Sequence, residues 1–209
     1  MTSIQAQLHN SCVKQLLDNM AQLPNQNEAK DYVIQEVTSF YEEYGWNVPP
    51  IQFPAFPNDF EQIDLHQFLL DWTNGHSISQ ELLDYSNNLI DLLLTNSTLN
   101  QFSIESMALL SSASSILNQE DLQILTDAVD IANQSISFWT GQYSNSHNWT
   151  AGLIIPPPQP PIMIGMNWWK VAGCDAVGGI GGAIIGAGNP VSIGVGAAVC
   201  SACNIINQW

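Results

Sequence analysis

The chain has 209 residues, 45% of them hydrophobic, enough for one good core and too apolar for a disordered chain. Three lysines, no arginine and 19 acidic residues give a formal net charge of −16. Neutralising a phosphate backbone takes clustered lysine and arginine, so this composition excludes nucleic-acid binding and gives no attraction to anionic headgroups. The plain reading of the acidity is solubility.

In chain order, "MTSIQAQLHNSCVKQLLDNM" has no basic start followed by an unbroken apolar run, so no secretory signal peptide is expected there. From Ser3 to Leu23 the residues Ile4, Leu8, Cys12, Val13, Leu16, Leu17 and Met20 recur at helical spacing, which predicts an amphipathic helix. Asn27 to Tyr44 repeats the pattern, and Gly45 stands where a C-terminal glycine cap belongs. The proline-punctuated "WNVPPIQFPAFPND" reads as an extended loop, with Asn58 or Asp59 able to cap a helix from about Phe60 to Asn74.

A fourth helix is expected over Ser77 to Asn96, facing inward with Leu82, Leu83, Leu89, Ile90, Leu93 and Leu94. Asn100 to Leu117 and Glu120 to Trp139 predict an antiparallel pair joined by "NQED". Short links between about six amphipathic helices predict an all-α, up-and-down bundle over residues 1–140. "LIIPPPQPPIMIGM" is polyproline-like, placing a linker at 141–166 and a glycine-rich helical hairpin at 167–209.

In that last segment Gly178, Gly182 and Gly186 stand four apart, and Gly194, Ala198 and Ala202 repeat the spacing after the turn "GAGNP". Ser192 and Gly196 make a further small pair. Glycine costs about 1 kcal/mol against alanine in a helix, so such stripes make sense where another backbone presses close. The predicted arms run from Trp168 to Gly188 and from Pro190 to Asn207.

Spanning a bilayer takes about 20 apolar residues. The first arm is just long enough but contains Lys170 and Asp175. Trp168, Trp169 and Lys170 fall at the same end as Trp209, as interfacial anchors would. Two readings stay open: a membrane-capable hairpin, and one buried against the bundle.

Folding the arms together brings Cys203 near Cys174, within reach of a disulfide. Cys200-Ser-Ala-Cys203 also has redox spacing, but such a motif should open a helix after a strand. A zinc site would lack a good fourth ligand, Asp175 being a poor one, and Cys12 reads as a core thiol. No metal or cofactor is expected. His9, His66, His76 and His147 have no metal-ligand spacing, and His9 with Asn10 reads as a polar pair in the first helix. "DFEQID" lacks the glycine turn of a calcium loop, and "GGIGG" lacks the lysine of a phosphate loop.

The segment "GGIGGAIIGAGNPVSIGVGAAV" resembles the glycine-zipper segments of bacteriocin-like, membrane-active bacterial peptides. "LHN", "SISFW" and "WWKVAGCDAVGG" give the layout a resemblance to a loose group of uncharacterised helical proteins of Bacteroidota. That second resemblance implies a secreted or envelope location, although no lipobox is present. Together they imply a non-enzymatic protein whose hairpin meets membrane lipid or a partner helix and permeabilises a membrane. The alternative is an all-helical interaction or structural protein with the hairpin as core helices.

Overall fold

The computed structural model describes residues 3–20, 26–54, 63–96, 98–143 and 167–206. Among these it is all-helical: α1 (Ile4–Met20), α2 (Gln26–Glu43), α3 (Leu65–Thr73), α4 (Gln80–Thr95), α5 (Leu99–Ala113), α6 (Gln119–Tyr143), α7 (Trp168–Ile185) and α8 (Pro190–Ile206). Six amphipathic helices and a C-terminal hairpin are thus present, packed as a bundle. The proline-rich stretch over residues 144–166 and the Trp209 anchor lie outside the described residues.

Local chemistry explains most helix ends. Gly45 adopts φ +81°, the left-handed conformation that closes α2. Ser79 and Thr98 cap α4 and α5 by accepting the backbone N–H three residues on. The third helix differs from expectation: it starts at Leu65, and Asp64 caps it by accepting from the His66 and Gln67 backbones. The expected caps Asn58 and Asp59 lie outside the described residues. Asp64 competes well because its carboxylate also faces the positive end of the helix dipole.

The hairpin is the centre of the molecule rather than an appendage. α7 packs against α8, α6, α3 and α4, and α8 packs against α1 and α2 as well. Val171 through Ala183 are buried on every face, and the hairpin shares one hydrophobic core with the six helices around it. The boundary drawn in sequence through 141–166 therefore does not divide the core.

Two inward faces also differ from the expected ones. α1 buries Ala6, His9, Cys12, Val13 and Leu16, while Ile4 is exposed. Small Ala6 and polar His9 lie on the buried face because α8 approaches closely and a buried carboxylate waits opposite. On α4, Leu82, Leu89, Ile90 and Leu93 are buried, Leu83 is half-buried and Leu94 is exposed. Buried Ser86 takes a place on that face and returns its hydroxyl to the Leu82 carbonyl.

Candidate functional site

The glycine stripe of α7 lies directly on α8. A Cβ at Gly178 would fall 2.5 Å from both Cys200 Sγ and the Gly196 carbonyl oxygen. One at Gly182 would overlap the Ser192 carbonyl, and one at Gly186 the Ser192 hydroxyl. Reciprocally, a Cβ at Gly196 would strike the Gly178 carbonyl. The α8 face that meets α7 is thus Ser192, Gly196 and Cys200. Gly194, in the other small-residue run with Ala198 and Ala202, lies under the Tyr41 ring of α2; Ala198 and Ala202 are buried too.

The remaining glycines of α7 are occupied by other helices: Gly173 by Leu65 and Gly181 by Trp72 of α3, and Gly179 by Ile131 of α6. The arms are joined tightly. Ala187 and Gly188 have φ of 52° and 77°. The Gly188 N–H donates back to the Ala183 carbonyl at 2.8 Å, and Asn189 Oδ1 accepts from the Val191 N–H at 2.9 Å.

The expected interfacial anchors have protein partners. Trp168 stacks on Trp139 of α6, centroids 5.0 Å apart and planes 8° apart, and Trp169 meets Phe102 of α5 edge-on. Lys170 is only part-exposed beside them. No helix of the described residues is long and apolar enough to cross a membrane; glycines and the Lys170 and Asp175 charges dilute α7. Cys174 and Cys203 are free, buried thiols, so the disulfide considered from sequence is not formed. The Cys174 sulfur instead accepts from Asn204 Nδ2 at 3.5 Å. Burial pushes the Cys174 and Cys200 thiols well above the ordinary range, which suits packing and opposes thiolate chemistry.

The polar feature that sequence did not assemble is a sealed cluster around Asp175. Four helices converge on it: α1 brings His9, α6 Ser135, α7 Asp175 and α8 Ser201, all 0% exposed. Ser135 Oγ donates to Asp175 Oδ2 at 2.5 Å and Ser201 Oγ to Oδ1 at 2.6 Å. His9 Nε2 stands 3.5 Å from Oδ2 and 3.4 Å from Ser201 Oγ. His9 Nδ1 meets Asn10 Oδ1 at 2.9 Å, and Asn10 Nδ2 donates to the Gln134 carbonyl at 3.1 Å. Burial raises the Asp175 carboxyl above its usual range, opposed by His9, the two serines and the Trp139 indole.

Serine, histidine and aspartate in one cluster invite comparison with a hydrolase triad, and the geometry does not fit. A triad puts serine on one imidazole nitrogen and the carboxylate on the other. Here both address Nε2, both serines donate to the carboxylate, and the whole cluster is buried away from any substrate. A signal was present in the sequence: His9 and Asp175 are the polar interruptions of otherwise apolar helix faces. Among the described residues, no three His, Cys, Asp or Glu side chains converge to hold a metal ion. The chain matches no family model, no curated protein and no solved structure.

Proposed function

We propose that the chain is a non-enzymatic, all-helical interaction or structural protein in which the hairpin is the packing centre. One observation carries this reading: each glycine of the α7 stripe is already filled by the chain's own groups, Gly178 and Gly182 by the α8 backbone itself. A surface so used has no free groove for lipid or a foreign helix while the fold is closed. The polar groups around Asp175 are likewise turned on each other, which suits scaffolding better than turnover.

A second reading is favoured by a different observation. Both arms are mostly apolar and carry only Lys170 and Asp175 as charges. An opened bundle would expose a hairpin able to enter the apolar side of a bilayer, the bacteriocin-like, membrane-permeabilising action implied by the resemblance. Secretion or an envelope location belongs to that reading.

The two separate in one experiment. Full-length protein is mixed with dye-loaded vesicles, one set zwitterionic and one anionic, and then sedimented. The first reading expects no dye release and protein left in the supernatant. Release at either composition, or sedimentation with the vesicles, overturns it in favour of the second.

A further inference from the structure

We propose that docking of α1 onto the hairpin is proton-linked: the cluster around Asp175 closes over one proton shared between His9 and the carboxylate. The geometry fixes one imidazole hydrogen, and the cost of net charge in the cluster fixes the other proton. Asn10 Nδ2 donates to the Gln134 carbonyl, so its Oδ1 is the atom facing His9 Nδ1, and Nδ1 must carry a hydrogen. On the other side, Nε2 and the carboxylate face each other with Ser135 and Ser201 filling the remaining positions.

With one proton between them the cluster is neutral overall, whether written as imidazolium and carboxylate or as imidazole and carboxylic acid. With none it holds a net negative charge, and with two a net positive one. Either is costly among four fully buried residues. The rise of the Asp175 carboxyl on burial agrees with retention of the shared proton.

Other ionisable groups lie around rather than inside the cluster. From α7 and α8, the Cys174 and Cys200 thiols adjoin Asp175, with Lys170 near Cys174, and burial keeps both thiols protonated. From α6, Asp130 accepts the Ser3 N–H, and Asp127 stands beside Asp130. From α2, Glu36 faces Cys12; Lys14 of α1 is exposed.

The sign follows from proton linkage. An undocked α1 exposes His9, which sheds its proton near the ordinary imidazole value of about 6.5, and opens Asp175 to water, where a carboxyl is ionised at that pH. Above that pH the docked state holds one proton more than the undocked state, so rising pH favours undocking, up to about tenfold per pH unit.

Hydrogen exchange of the full chain tests this, with peptides from α1 and α4 followed from pH 5.5 to 8.5 after correction for intrinsic exchange. Protection of α1 should fall with pH, and the slope should vanish in the double variant His9→Gln, Asp175→Asn. A flat wild-type profile, or the same slope in the double variant, overturns the proposal. Should that variant not fold, imidazole NMR of the wild type decides. In the folded chain the ring resonances of His9 should stay constant between pH 6 and 8. His9 ring resonances that shift with pH across that range overturn it.

Discussion

The hairpin and α4 bury helices by opposite means. α4 drives Leu82, Leu89, Ile90 and Leu93 into the core and leaves its other side to solvent. Each such leucine or isoleucine contributes about 1.5–3 kcal/mol by leaving water. α7 is buried all round, yet it contains five glycines, whose intrinsic helix cost alone is about 5 kcal/mol. What offsets that cost is proximity: its backbone touches the α8 backbone on one side and the Trp72 ring on another. Side-chain area stabilises a helix at the rim, and absence of side chains stabilises one at the centre, where neighbours arrive from every direction.

Breaking that contrast should have its largest effect at Gly182. A Cβ there meets backbone, the Ser192 carbonyl, which cannot swing aside. Gly182→Leu should lower stability by more than about 3 kcal/mol, read as a shifted urea midpoint or as failure to fold. A variant as stable as wild type would mean that the arms are not in contact. The same measurement on the rim probes the opposite fault: Leu89→Ala leaves a hole rather than a clash and should cost about 3 kcal/mol.

A third substitution sharpens the difference within α7 itself. At Gly179 the nearest atom to an added Cβ is Ile131 Cδ1 at 3.3 Å, the free end of a flexible side chain. Gly179→Ala should therefore be tolerated, changing stability by no more than about 1 kcal/mol, since the gain in helix propensity offsets a small shift of Ile131. If Gly179→Ala and Gly182→Ala cost the same, the direction of each glycine is immaterial and the backbone-contact account fails.

The hairpin was legible because its signal is local. Gly178, Gly182 and Gly186 announce a close helix contact by spacing alone, and Gly188-Asn189-Pro190 marks the turn. The identity of the opposing face was less so. Gly194, Ala198 and Ala202 have the same spacing as the α7 stripe, and only the roll of α8 decides that Ser192, Gly196 and Cys200 turn towards α7 while Gly194 meets Tyr41. Trp168 and Trp169 at the end of an apolar helix suit a membrane interface by composition, and aromatic rings pack equally well on Trp139 and Phe102. The Asp175 cluster was least legible. Its members sit on four helices far apart in the chain, and nothing near His9 says that a carboxylate will lie opposite it.

Two buried carboxylates carry the comparison to its smallest expected effect. Asp175, at the centre, has two hydroxyl donors and His9. Asp127, on α6, has the Gln123 amide at 3.1 Å and Asp130 as a repelling neighbour. Burial first, and Asp130 with it, raises the Asp127 carboxyl above its usual range against the pull of Gln123 and Ser3. A raised folded-state value means that the folded chain keeps this proton longer than the unfolded chain does. Its contribution is fully present below the ordinary carboxylate value of about 3.9 and is lost as pH rises through the folded value. Asp127→Asn mimics the protonated form, so variant and wild type should be nearly equal at pH 3.5. By pH 7 the variant should be the more stable of the two in urea unfolding. A variant that instead loses ground to wild type as pH rises would show that the charged carboxylate is the form the fold prefers. The rim would then resemble the centre in supplying a buried acid with compensating donors.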